Sequence, residues 1–473
     1  MIHRSAGGGN HDDGPAADIS WVMLDRFVFR RDDELFPDAE VTHMRAQSLT
    51  SVGEIFNVAL LAAAPPMLSR LYVQWPLSPP EEQDGNGRSV ELVTAHRGLL
   101  LLRITSPTGP GENDGYLQDY FVFKAAATVG VNSRLRRLPA CTQPIVLPYG
   151  ESEVTMERWF HANTIGLVSL SGAGDGDEGE FAVVQLAKFV HTPGSAPKMG
   201  AELCVFRSRL PSYSRSRTQD DDDDASVAEG EWEVLQLPIQ HAEEEFSDLK
   251  GWSAHGAVTF GNSVCWFDYH QGGILRYTPP LALAGTVGES SSSISYIRLP
   301  IDNRPNTSSP TDQLLEKYRS LCVTGTRGNE QLKFVDVVRS VGVCCGLITV
   351  SSRFAIACHT FCTEDHRWHR DALIDSQDLW YLNARQQRLM PDYALTTFPL
   401  VSMDKPHLVH FLVSEPRNKN KIDDVSVVVI DIITRKIVST SPYIRGEDHC
   451  SKDADMIMQR CRLPRSFLPC NFY

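Results

Sequence analysis

The chain contains no run of about 20 apolar residues, the length a membrane-spanning helix needs. Its most apolar stretches, Ile55 to Met67 and Val425 to Ile433, are short or broken by Pro or Asp, so no span is expected. An apolar signal core is also missing, because Met1 to Asp18 carries Gly7-Gly8-Gly9 and Asp12-Asp13 instead. Positive charge is in deficit: 45 Lys and Arg face 59 Asp and Glu, a formal net charge of −14. That sign excludes an affinity built on neutralising phosphates, so no nucleic-acid partner is expected. The 11 cysteines lack the close, even spacing of a disulfide scaffold. A reducing compartment, cytoplasmic or nuclear, follows as the expectation.

Reactive signatures are sparse as well. The sequence holds no G-x-S-x-G, H-E-x-x-H or G-x-x-x-x-G-K-[ST] pattern. Gly174-Asp-Gly176-Asp-Glu-Gly179 fits G-x-G-x-x-G on paper, but its carboxylates would repel the phosphate that such a loop cradles. The same carboxylates lack the order of a calcium loop. A richer cluster, Cys358-His359-Thr-Phe-Cys362-Thr-Glu-Asp-His366-Arg-Trp-His369, has zinc-type ligands. Its first half alternates like a half-buried strand, and four strand residues span about 13 Å, so Cys358 and Cys362 cannot share one ion. Buried structural cysteines are expected there, with no metal and no cofactor.

What the sequence has in abundance is the short strand, rich in β-branched and aromatic residues and bounded by Gly, Pro, Asn or Asp. Trp21 to Phe29, Gly98 to Ile104, Phe181 to Phe189, Ala257 to Phe267, Phe354 to Phe361 and Val425 to Ile433 are examples. Only Val52 to Ala63 and Thr311 to Leu321 read as helices. Grouping the strands exposes a loose repeat, with Leu138-Pro139, Leu237-Pro238 and Leu299-Pro300 each closing a group. Proline removes a ladder donor, so a strand ending in Pro suits the outer edge of a small sheet. Two further groups, within 321–369 and 395–440, keep the rhythm. The fold class expected is therefore mainly all-β: a β-propeller-like ring of about five to six small antiparallel sheets, with long loops and a few short helices. N-terminal strands should pair with C-terminal ones to close the ring. Two packed β-sandwiches are the competing arrangement.

The segment with most character runs from Trp252 through His255, Trp266, Asp268 and Tyr269 to Tyr277. It reads as a hairpin turning at Gly261-Asn262, then a return through Gly272-Gly273 into a third strand. Trp266 and Asp268 should share one strand face, and Cys265 and Phe267 the other. Trp252, His255, Trp266, Asp268 and Tyr269 are the candidate binding residues, with a structural anchoring role the expectation for most of them. No catalytic residues are assigned.

These residues resemble the plant family called domain of unknown function 1618. Trp21-Val-Met-Leu-Asp25-Arg26, Ser69-Arg70-Leu71-Tyr72-Val73-Gln-Trp75-Pro76, Cys265-Trp266-Phe267-Asp268 with Gly273-Ile274-Leu275, and Ile297-Arg298-Leu299-Pro300 look like its conserved stretches. Arg276-Tyr277 departs from the Cys-Asp expected there. The resemblance implies an intracellular plant protein comparable with F-box-associated and kelch-like propellers, and it brings no catalytic residues. The expected organisation is a disordered tail at 1–19, one propeller-like body at 20–445 and a C-terminal extension at 446–473. The expected function is a non-enzymatic, monomeric scaffold for a protein or peptide partner. An enzyme, or a small-ligand or carbohydrate binder using a central pocket, is the alternative.

Overall fold

The computed structural model describes residues 19–32, 36–75, 89–107, 116–126, 131–149, 152–170, 180–192, 198–208, 227–279, 293–301, 312–339, 353–385, 389–390, 395–414, 425–443 and 466–472. Strands dominate, as the alternation predicts. Sheet I contains β1 (Trp21–Arg30), β2 (Arg45–Leu49), β3 (Ile55–Leu61) and β4 (Leu68–Gln74). Sheet II is the meander β5 (Ser89–His96), β6 (Leu99–Pro107), β7 (Tyr116–Lys124) and β8 (Arg134–Arg137). A separate hairpin follows, β9 (Ile145–Tyr149) with β10 (Ser152–Met156). Sheet III is β11 (Ile165–Ser169), β12 (Phe181–Thr192), β13 (Lys198–Ser208) and β14 (Gly230–Gln240), and sheet IV is β15 (Gly256–Phe260), β16 (Ser263–Asp268), β17 (Gly273–Tyr277) and β18 (Ile294–Arg298). Sheet V is β19 (Arg319–Thr324), β20 (Gln331–Arg339), β21 (Phe354–Cys362) and β22 (Arg367–Asp375). Sheet VI is β23 (Leu395–Val401), β24 (Leu408–Ser414), β25 (Val425–Asp431) and β26 (Lys436–Pro442).

Sheets III and IV form one eight-stranded sheet by hydrogen bonding, but only two parallel residue pairs, Ile239 with Ile294 and Gln240 with Ser295, join them. Their separate identity shows in the cores. Along β16, Val264 and Trp266 pack with Val184 and Leu203 of sheet III, while Cys265 and Phe267 pack with Leu321 and Phe334 of sheet V. The same two-sided use of the period-2 pattern recurs around the molecule. One apolar cluster joins sheets I and II, another II and III, and a single larger one joins V, VI and I. The first strands β5, β11, β15, β19 and β23 lie against one another in chain order. This cyclic order is that of a propeller-like ring; two stacked sandwiches would give paired faces instead.

Ring closure falls to the last described strand, β27 (Leu468–Asn471), which pairs antiparallel with β1 from Trp21↔Asn471 to Leu24↔Leu468. It lies in the stretch read as a C-terminal extension and forms the inner edge of sheet I, against β5. Leu138-Pro139 and Leu299-Pro300 fall just beyond β8 and β18, but Leu237-Pro238 lies inside β14, and because β14 and β18 pair with each other only β8 is the sheet edge that the proline argument expects.

The helical reading of Val52 to Ala63 is corrected: it is strand β3, hydrogen-bonded on both sides to β2 and β4. Phe56, Val58 and Leu60 face sheet II while Ala59 packs towards sheets V and VI, so the run is apolar on both faces and hides its period. Thr311 to Leu321 is only in part helical, a 3₁₀ turn at Asp312–Lys317 before β19 begins. Two short α-helices went unanticipated, α1 (Phe246–Lys250) and α2 (Ser376–Arg385). In α2 the signal was present: Asp375 accepts the Gln377 N–H at 2.7 Å, and Leu379 and Asn383, four apart, are the buried face.

If β27 closes the ring, Leu468→Ala should lower the unfolding free energy by about 2–5 kcal/mol, since it truncates a buried residue between sheets I and II. Deleting 466–473 should cost more, by reopening the β1 edge. Urea unfolding of the full chain and both variants checks this; an unchanged midpoint for the deletion would contradict the closure.

Candidate functional site

The inner strands surround a channel that opens into a cavity of about 290 Å³ at one end. Arg26 of β1, Glu91 of β5, Asn163, His255, Tyr269, Glu316, Ser320 and Leu400 of β23 line this mouth, so all six sheets reach it or the turns beside it. At the opposite end the space shrinks to about 50 Å³ between His96, Thr259, Glu330, Met403 and Asn471. Ala257, Val258, Leu468 and Pro469 line both spaces.

The narrow end is tied shut by Glu330. Its carboxylate takes the Arg97 guanidinium at 2.8 Å and the Gly261 N–H at 2.5 Å, joining the tight turns of sheets II, IV and V. Both side chains of the ion pair are buried, so removing one partner would strand the other charge. Gly261 sits at φ +61° in the two-residue turn between Phe260 and Ser263, the hairpin that the Gly-Asn sequence predicts.

At the mouth, several charged groups are engaged in holding strands. Arg319 bonds Asp336 at 3.2 Å and donates to the Tyr269 carbonyl. Arg26 donates to the carbonyls of Ser466 at 3.1 Å and Val93 at 3.2 Å, clamping β5 to the start of β27. Glu91 is salt-bridged to Arg103. The Tyr269 hydroxyl accepts the Leu321 N–H at 2.9 Å, and burial holds its pKa well above the usual phenol value.

The five sequence-selected residues divide between this mouth and the interior. His255 and Tyr269 line the cavity and stack with ring centroids 6.0 Å apart. Trp252 and Trp266 lie in the core between sheets III and IV, their ring N–H groups donating to the carbonyls of Gly273 at 3.3 Å and Thr164 at 2.8 Å. Asp268 is fully buried and organises the turn that follows it, accepting N–H bonds from Ser253 at 2.8 Å, His270 at 2.6 Å and Gln271 at 3.0 Å. Its contact with His255 Nδ1 is 3.3 Å. The Tyr269 N–H also lies 3.3 Å from that same nitrogen. The arrangement anchors a turn.

Of the metal-like cluster, Cys358 packs into the core of sheets V and VI, and burial pushes its thiol up to about 12. Cys362, His369 and the unselected Asp365 do meet, their ligand-type atoms all within 4.8 Å on an exposed hairpin. They bond one another: His369 Nε2 lies 3.0 Å from Asp365, and the Cys362 thiol and His369 hold that carboxyl below its usual range. Cys344 and Cys345, an adjacent pair a little upstream of that cluster in the sequence, lie outside the described residues.

Small sheets ranked around a recessed channel define an all-β, propeller-like chain. Within it, residues 266–410, from β16 into β24, match the model of the family described as Protein of unknown function (DUF1618), so the resemblance drawn from the sequence is upheld over that segment. No curated protein matches the chain. Among solved structures, a candidate 6-phosphogluconolactonase from Bacteroides fragilis is similar at 10% identity and TM-score 0.25, over 76% of this chain and 84% of that one. A second, from Bacteroides uniformis, gives 10% identity and TM-score 0.24 over 73% and 82%. No helix among the described residues is long and apolar enough to cross a membrane.

Asp268→Ala should destabilise the chain by about 3 kcal/mol or more, because it leaves buried N–H groups unpaired; Asp268→Asn, which keeps one acceptor oxygen, should cost less. Chemical denaturation reads both, and equal losses would refute the turn-anchoring role. A second expectation concerns two buried histidines. Burial lowers His96 to about 3, helped by Arg97, and His410 to about 4. Below the ordinary value near 6.5, the unfolded chain takes up protons that the native state refuses. Stability should therefore fall as pH drops from 6.5, the His410 loss levelling off near 4 and the His96 loss near 3. His410→Gln should flatten the slope between pH 6.5 and 5, above the carboxylate range; an unchanged slope in urea melts would count against it.

Proposed function

We propose that this chain is a non-enzymatic, monomeric interaction module whose channel mouth receives a side chain or loop tip of a protein or peptide partner, without a cofactor. The observation that carries this reading is the commitment of the mouth's charges: Arg26, Glu91 and Arg319 each hold strands together, and the His255–Asp268 contact anchors a turn. Catalysis needs acid–base groups poised around a reacting atom. The cavity, at about 290 Å³, falls just below the range of about 300–1,000 Å³ for small-molecule pockets and suits one or two side chains. Its mixed charge favours a polar partner segment. A cytoplasmic or nuclear setting in a plant cell, and kinship with F-box-associated or kelch-like propellers, form part of the same reading.

The test is comparative capture from an extract of the source organism. Asn163→Trp, at the exposed rim, and Glu316→Lys should each remove the same proteins that the unaltered chain enriches over background. Identical captures by all three forms would defeat the proposal. A metabolite screen giving a thermal shift that Asn163→Trp abolishes would hand the site to the small-ligand reading.

A further inference from the structure

Away from the channel, two free thiols face each other across the boundary between sheets II and III. Cys204 is buried on β13, in the apolar cluster that joins the two sheets. Cys141 sits on the connecting segment after β8 and is only half-buried. Their sulfurs are 3.6 Å apart, although 63 residues separate them in the chain. Cys141 also lines a surface cavity of about 130 Å³ walled by Tyr120, Arg158, Phe160 and Trp232. A small oxidant therefore has a path to one sulfur and none so open to the other.

We infer that Cys141 and Cys204 are a peroxide-responsive thiol pair, forming a reversible disulfide that staples sheet II to sheet III. The surroundings suit the two roles. A hydrogen bond with Cys204 draws the Cys141 thiol down to about 7 against the effect of burial, with the Gln143 backbone and Arg158 assisting, while Cys204 is held well above the usual thiol value. Cys141 is thus the thiolate that attacks, and Cys204 the thiol that resolves. Arg158 keeps the segment in place, donating to the carbonyls of Gln143 and Pro144, each at 3.1 Å, and to Glu202 of β13 at 2.8 Å. The oxidant is hydrogen peroxide. The Cys141 thiolate attacks one peroxide oxygen, the O–O bond breaks, hydroxide leaves, and the sulfur becomes a sulfenic acid. The Cys204 sulfur then attacks that sulfur, an S–S bond forms, and the departing hydroxide takes the Cys204 proton as water. A dithiol reductant returns both thiols. Disulfides in reducing compartments are characteristically transient and redox-sensing, in keeping with the setting expected for this chain.

The inference stands independently of the channel reading. Its test treats the reduced full chain with hydrogen peroxide, blocks residual thiols with N-ethylmaleimide and maps peptides without reduction. The expected product is a Cys141 peptide linked to a Cys204 peptide, lighter by two hydrogens than the two reduced peptides together and separated by dithiothreitol. Cys204→Ser, or Cys204→Ala if the serine form fails to fold, should leave Cys141 as a sulfenic acid that dimedone traps. Cys141→Ser should leave Cys204 a thiol. The linked protein should unfold at higher urea than the reduced one. Recovery of both cysteines as maleimide adducts while Cys362 is oxidised, or linkage of Cys141 to any other cysteine, would overturn the assignment.

Discussion

The constraint on which the rest depends is that each four-stranded sheet is apolar on both faces and has two edges, so none can stand alone. A strand such as β16 directs Trp266 to one neighbour and Phe267 to the next, and β1 does the same with Met23 and Leu24. Every sheet therefore needs a partner on either side, which only a closed ring supplies to all of them. Burial in this chain is inter-sheet burial, and the channel is what remains where the inner edges cannot meet.

Buried polar groups follow the same geometry. Glu330 holds three turns at the narrow end, Arg158 with Glu202 pins the segment between sheets II and III, and Arg319 with Asp336 steadies the first strands of sheet V. Glu330 and the Arg158–Glu202 pair join elements distant in the chain, whereas Arg319 and Asp336 face each other on the consecutive strands β19 and β20. A paired buried charge adds little net stability, yet mispairing it is expensive, so such groups fix which turn faces which. At the mouth Arg26, Glu91 and Arg319 hold strands in this way, which is the observation behind the proposed binding role.

Much of this was legible in the residues. Alternation and the Gly-Asn turn located most strands and one hairpin, because each rests on local steric or hydrogen-bonding rules, whereas the Leu-Pro ends misplaced β14 and β18, which pair with each other, at outer edges. The two-faced pattern around Trp266 singled out Asp268, which accepts N–H bonds from the turn that follows it. What failed did so where local signals are ambiguous: β3 is apolar on both faces, so its run from Ile55 to Leu61 carries no readable period. The mouth was out of reach for another reason. Arg26, Glu91, Glu316 and Ser320 come together only through ring closure, and nothing in their own surroundings marks them. The pairing of Cys141 with Cys204 belongs to the same class.

Closure also separates the molecule's local contacts from its distant ones. Each of the meanders II to VI is built from strands adjacent in sequence, whereas β1 must find β27 across nearly the whole chain, from Leu24 to Leu468. Loop-closure entropy grows only slowly with length, so the long inserts between strands are thermodynamically tolerable. Non-local pairing is the slower kind of contact to form in general, and without it the inner edge of β1 is uncovered. The residues that complete the ring are also those that Arg26 clamps and that line the channel from end to end. A channel of defined shape therefore exists only once the last strand is in place, which makes the integrity of the fold and the presence of the site a single event.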